Sequence, residues 1–191
     1  LLADISMDEG LLINTKTTLD LNGHTLTVND GGNVNNRCIK VTDSASGIKV
    51  NLIVKSSAEG GKIIAGGSCS TADHSTNGAN AGSGCYGAIR FESSGKLTMT
   101  DVTLENSRPW GMNIKLISGT AELNNVTIHS TCGGGIEVAG ATAVLNNCTM
   151  TQENYHDHAS SCVSVSSEAT PGVVTINGGS YTRSAEASTS G

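Results

Sequence analysis

Leu123-Asn124-Asn125-Val126-Thr127-Ile128 returns as Leu145-Asn146-Asn147-Cys148-Thr149-Met150, and it occurs earlier as Met99-Thr100-Asp101-Val102-Thr103-Leu104. Upstream it reads Leu21-Asn22-Gly23-His24-Thr25-Leu26, and downstream it weakens to Ile176-Asn177-Gly178-Gly179-Ser180-Tyr181. In each copy an apolar position precedes two polar residues, and alternation with threonine follows. The alternation is that of a short strand. Asn, Asp and Gly tolerate the left-handed backbone that a sharp bend requires, so the polar pair marks a corner between two strands.

A second register precedes each copy. It is apolar-x-apolar: Leu11/Ile13, Ile39/Val41, Ile89/Phe91, Ile114/Leu116, Ile136/Val138 and Val163/Val165. A Gly- or Ser-rich turn leads from it to Leu19/Leu21, Leu52/Val54, Leu97/Met99, Ala121/Leu123, Ala143/Leu145 and Val174/Ile176. Each unit therefore holds three short strands. The first strands step by 28, 50, 25, 22 and 27 residues, and a Gly/Ser/Asn-rich insertion over residues 66–87 accounts for the long step. Three strands per turn, self-similar along the chain, predict an all-β solenoid: a parallel β-helix of about six coils, roughly 30 Å long at ~4.8 Å per coil. Stacked asparagines at the bend can bond to one another along its axis.

Composition agrees. The 191 residues include 24 glycines, only five aromatics and 15% charged residues, which excludes a coiled coil and a charge-driven disordered chain. A net charge of −6 argues against nucleic acid as partner. No apolar run is long enough for a membrane span. Residues 1–182 read as the β-helix, with 1–10 a candidate N-terminal cap strand. Residues 183–191 read as a linker or a truncated tail, which implies a longer parent chain. Six cysteines, an even number, fit an exported protein with bridges. Cys69–Cys85 would close the insertion, and Cys132 and Cys162, each before a first strand, are placed to bridge. Cys148 falls at an inward position and reads as a buried thiol.

Thr18-Leu19-Asp20-Leu21-Asn22-Gly23-His24-Thr25-Leu26-Thr27 resembles the first full coil of right-handed, single-stranded β-helix domains of the pectin-lyase-like superfamily, especially those of bacterial surface and adhesin-like proteins. That resemblance implies right-handed coiling and, in its polysaccharide-cleaving members, a substrate groove on the first-strand face. The superfamily's catalytic signatures (Gly-His-Gly, Asn-x-Asp with a paired Asp-Asp, a clustered Asp set for calcium) do not occur in this sequence.

On the first strand the outward positions stack as Lys40, Arg90, Lys115, Glu137 and Ser164. A lyase needs a base and cations to offset developing charge, a role for Arg90 or Lys115. An inverting hydrolase needs two carboxylates, as Glu137 with Glu92 or Asp157 would supply. The competing reading is a Lys115–Glu137 salt bridge. Bordering loops offer Tyr86, Trp110 and Tyr155 as platforms for sugar rings. His156 and His158, with His129 or Glu153, are weak candidates for a metal, which takes three or four ligands. No cofactor is implied. His24 reads as a core-edge histidine bonded to backbone. Third-strand threonines (Thr25, Thr103, Thr127, Thr149) form an incomplete flat array, and the Asn125 and Asn147 glycosylation sequons coincide with the bend.

Two functions are therefore expected. The first is a non-enzymatic β-helix segment of an exported cell-surface protein, a stalk or adhesin whose partner, if it has one, is a polysaccharide or host glycan. The alternative is a polysaccharide lyase or glycoside hydrolase using the first-strand face.

Overall fold

The computed structural model describes residues 1–29, 39–66, 87–106, 112–131, 134–153, 161–166 and 170–183. Its strands, in chain order, are β1 (Ile5–Met7), β2 (Leu11–Ile13), β3 (Thr17–Asp20), β4 (Thr25–Asn29), β5 (Ile39–Val41), β6 (Leu52–Lys55), β7 (Lys62–Gly66), β8 (Ile89–Phe91), β9 (Lys96–Thr100), β10 (Thr103–Asn106), β11 (Met112–Leu116), β12 (Thr120–Asn124), β13 (Thr127–Ser130), β14 (Gly134–Ala139), β15 (Thr142–Gln152), β16 (Val163–Ser166) and β17 (Val173–Arg183). The described residues contain no helix, and all their strand pairings are parallel.

The expected first strands form one six-stranded sheet in the order β2-β5-β8-β11-β14-β16. The second and third strands form a strongly curled eleven-stranded sheet that turns through β15, which runs across the bend, and β17 adds to its edge. The chain is thus an all-parallel, solenoid-like stack, compatible with a parallel β-helix.

Like sits on like inside it. The first-strand column is Ile13, Val41, Phe91, Leu116, Val138, Val165. The second is Leu19, Val54, Met99, Leu123, Leu145, Ile176. The third is Leu26, Ile63, Leu104, Ile128, Met150, Tyr181. Interior members are buried, and Phe91 is the largest fully buried side chain. Each buried aliphatic contributes about 1.5–3 kcal/mol. A narrow core of stacked columns leaves little room for larger rings.

The bend is as its residues dictate. Asp101, Asn125 and Asn147 hold φ of 54°, 53° and 52°, and Gly178 continues the column at 78°. Two asparagine ladders run along the corner. In the inner one Asn146 donates to Asn124 Oδ1 (2.7 Å) and Asn177 to Asn146 Oδ1 (2.8 Å). In the outer one Asn147 donates to Asn125 Oδ1 (3.0 Å) and Asn125 to Asp101 Oδ1 (3.1 Å).

Two details of the repeat differ from expectation. The second unit has a third strand, β7, that the repeat does not mark, because a six-residue corner, Ser56-Ser57-Ala58-Glu59-Gly60-Gly61, replaces the Asn pair. The first unit is shifted by two: Thr17 and Leu19, not Leu19 and Leu21, pair with Leu52 and Val54. Its corner is longer, and Leu21 fills the core from within the turn, 0% exposed. The threonine array is interrupted as a result, since Lys62 and Ile64 stand between Thr25/Thr27 and Thr103/Glu105.

Candidate functional site

The first-strand sheet presents the column read from the sequence. Leu12, Lys40, Arg90, Lys115, Glu137 and Ser164 pair in that order. Alternation on strands only three to six residues long points these side chains away from the core. What the sequence does not show is how completely the charges are matched. Glu92, one position beyond the core residue Phe91, takes the Arg90 Nε on one oxygen and Lys40 Nζ (3.2 Å) on the other. Lys115 Nζ lies 3.3 Å from Glu137 Oε2, and Ser166 donates to Glu137 Oε1 at 3.0 Å. The face is an ion ladder: one carboxylate between two cations, then a second carboxylate between a cation and a hydroxyl.

The ladder is half sunk into the sheet. Side-chain exposure is 17% for Arg90, 12% for Lys115 and about a fifth for both glutamates, against 37% for Lys40. Burial pushes the Glu92 carboxyl up, but Arg90 and Lys40 outweigh it and hold the group below its ordinary value. Glu92 is therefore ionised at neutral pH. That is the wrong direction for the general acid of a glycosidase, which needs a raised value.

A second carboxylate binds the adjoining turn. Asp43 accepts from Ser94 N (3.1 Å), Ser94 Oγ (2.7 Å), Ser93 Oγ and Val50 N (3.3 Å), joining one unit to the next. The Ser93 and Ser94 hydroxyls lead the causes that bring it down to about 2. Asp20 does the same at the opposite corner. Ser57 N (3.0 Å), Lys55 (3.3 Å) and Asn22 N (3.0 Å) bring it down to about 2, the Ser57 amide foremost. Sequence reading assigned neither aspartate a role. The available signal was an Asp at the end of a strand (Asp20) or just past one (Asp43), with a Ser-Ser pair one unit later.

The remaining candidates separate as follows. His129 lies beside Glu105 in register, and its Nε2 is 2.8 Å from Glu153 Oε1. Among the described residues no group of three His, Cys, Asp or Glu is arranged to hold a metal. His156 and His158, and the aromatic candidates Tyr86, Trp110 and Tyr155, lie outside the described residues, as do Cys69, Cys85 and Cys132. Cys162 is a free thiol, its Sγ 3.4 Å from Thr182 O and 3.8 Å from Met150 O, and the expected Cys132–Cys162 bridge lies outside the described residues with Cys132. Cys148 is free and buried, as its inward position implies, and burial pushes its thiol up. His24 faces Asp4, with Nδ1 3.4 Å from Oδ1, rather than backbone.

No protein-family model, curated protein or solved structure matches this chain. The site is therefore read from its own chemistry.

One set of buried residues was missed altogether. Asn106, Ser130 and Gln152 stand in one register, two residues beyond the third-strand core positions, and all are buried. Asn113 Nδ2 donates to Ser130 Oγ, and Ser130 donates to Gly134 O (2.8 Å). Their equal spacing after Leu104, Ile128 and Met150 is a signal the sequence does carry. They form a polar seam where third strands hand over to first strands, tied at Ser130 by its bonds to Asn113 and Gly134. No helix among the described residues is long and apolar enough to cross a membrane.

Proposed function

We propose that this chain is a segment of a right-handed parallel β-helix of about six coils, of the pectin-lyase-like kind, that serves as a stiff, non-catalytic stalk or adhesin on the outside of a cell. The observation that carries the reading is the saturated ion ladder. A lyase or hydrolase on this face would need a carboxylate or base free to exchange a proton with substrate. Here Glu92 is held ionised by two cations, and Glu137 is engaged by Lys115 and Ser166. Ion pairs that tie one coil to the next suit a load-bearing rod. Low charge and a surface of Thr, Ser and Asn suit an exported protein, and a cell-surface glycan is the kind of partner such a surface would meet.

The test is release of reducing ends or unsaturated products from a panel of acidic and neutral polysaccharides, with and without calcium. A stalk gives none. Turnover abolished in Arg90→Ala or Lys115→Ala would overturn the reading and make the first-strand face an active site.

A further inference from the structure

We propose that Asn177-Gly178 is a site of spontaneous deamidation, and that its conversion to aspartate or isoaspartate releases the Asn146–Asn177 rung of the inner ladder. The chemistry is the same whether the chain is a stalk or an enzyme.

The described residues hold two Asn-Gly pairs, Asn22-Gly23 and Asn177-Gly178, each at a corner between second and third strands. In such a pair the glycine backbone nitrogen attacks the asparagine side-chain carbonyl carbon, since glycine has no Cβ to shield the approach. The N–Cγ bond forms, the nitrogen's proton passes to solvent, and the Cγ–Nδ2 bond breaks with Nδ2 leaving as ammonia. Water then opens the five-membered imide at either carbonyl. One opening gives aspartate. The other gives isoaspartate, whose main chain runs through Cβ and Cγ. Water is the only co-reactant.

The structure treats the two pairs differently. At Asn22 the nucleophile is held. Gly23 N donates to Ser56 Oγ at 3.0 Å, and a Cβ on Gly23 would fall 2.8 Å from Glu59 O, so the pair is packed against the Ser56–Gly61 corner. Asn22 Oδ1 accepts from Ser57 Oγ (3.2 Å), and Asn22 Nδ2 donates to Leu1 O (3.4 Å). At Asn177 the nucleophile is open. Asn177 and Gly178 are both exposed, and a Cβ built on Gly178 would meet nothing within 4 Å. Corner amides deeper in the stack are bonded to the next unit: Asp101 N donates to Asn124 O (3.1 Å) and Asn125 N to Asn146 O (3.0 Å). Gly178 holds the same corner position on β17, and among the described residues no strand lies beyond β17 to accept its N–H.

The product is incompatible with the rung. Asn177 Nδ2 donates to Asn146 Oδ1 at 2.8 Å. Deamidation removes that donor and sets a carboxylate against an acceptor, a worse outcome than loss of the bond alone. Isoaspartate also adds one main-chain atom between the two halves of β17. Residues 173–177 pair with 142–146, and residues 179–183 pair with 148–152. The second half, which packs Tyr181 on the core, must then give up its register.

The test holds the 191-residue chain at neutral and mildly alkaline pH, folded and in urea. Peptide mapping by mass spectrometry with isoaspartate detection follows Asn22 and Asn177. In the folded chain Asn177 should convert at least about tenfold faster than Asn22, the factor that one intact hydrogen bond puts on the slower site. In urea the two rates should converge. Gly178→Asn restores the Asn-Asn pair of 124–125 and 146–147, whose second residues hold left-handed backbone. It should keep the fold and slow conversion at Asn177 at least as far as at Asn22. In the converted chain, amide hydrogen exchange should quicken across residues 179–183 and stay unchanged in β11 and β12. Equal rates in the folded chain, faster conversion at Asn22, or conversion at Asn177 only in urea overturns the site. Unchanged exchange across residues 179–183 after conversion overturns its effect on the ladder.

Discussion

Asn147 donates its side-chain amide to Asn125 Oδ1 at 3.0 Å, and both residues hold left-handed backbone, φ 52° and 53°. One residue type thus satisfies two demands at the corner, backbone and ladder. Replacement separates them. Asn125→Ala loses both, about 1 kcal/mol for the left-handed conformation and about 1 kcal/mol for the ladder. Asn125→Gly keeps the backbone and loses only the ladder, so urea denaturation should show about half the cost. Equal losses would mean the ladder carries everything.

The ion ladder predicts unequal costs for similar truncations. Lys115→Ala strands the half-sunk Glu137 and should cost about 1–2 kcal/mol, between exposed and fully buried pairs. Lys96 pairs with Glu122 at 2.6 Å, but the side chains are 47% and 38% exposed. Lys96→Ala should cost under about 0.5 kcal/mol and lose even that in high salt. Chemical denaturation at low and high ionic strength measures both.

Acid should loosen the stack within a narrow window. Asp20 and Asp43 are held at about 2 in the folded chain, below the roughly 3.9 of an unfolded aspartate. The unfolded state binds more protons between these values, so the stability they supply is complete above about pH 4 and is lost as pH falls toward 2. The thermal midpoint should be insensitive to these groups from pH 7 to 5 and drop below 4. Asp43→Asn should lower stability at neutral pH and shrink the acid-dependent drop. A midpoint as steep in that variant as in the wild type would count against the clamp.

Gly119 turns at φ 74°, and a Cβ there would fall 2.4 Å from Gly95 O and 2.5 Å from Ser93 O. Backbone cannot move aside as a flexible side chain can. Gly119→Ala should cost upwards of about 2 kcal/mol. Gly47, at φ 75° with open space around it, should cost about 1 kcal/mol as Gly47→Ala. The comparison isolates the steric part.

The sequence was most legible where the repeat is tightest. From Met99 to Tyr181 a two-residue corner fixes the count between strands, so alternation alone predicts which residues stack. It misled where corners lengthen. Leu21 looks like a strand position but fills the core from a turn, and Lys62-Ile63-Ile64 was invisible because its corner carries no Asn pair. For the site, the column of Lys40, Arg90, Lys115 and Glu137 follows from period two. The partnership of Glu92 with two cations does not, because it depends on which neighbouring rotamers meet across a strand spacing. Asp20 and Asp43 were missed for the same reason: their donors lie 37 and 50–51 residues away in sequence.

The backbone hydrogen bonds between successive turns all lie along the long axis. Tension applied at the two termini therefore loads them in series rather than together, and the weakest terminal turn lets go before its neighbours feel more than the same force. Each release frees about 25 residues, on the order of 85 Å of slack at full extension. A parallel stack of this kind lengthens in discrete steps when pulled from its two ends.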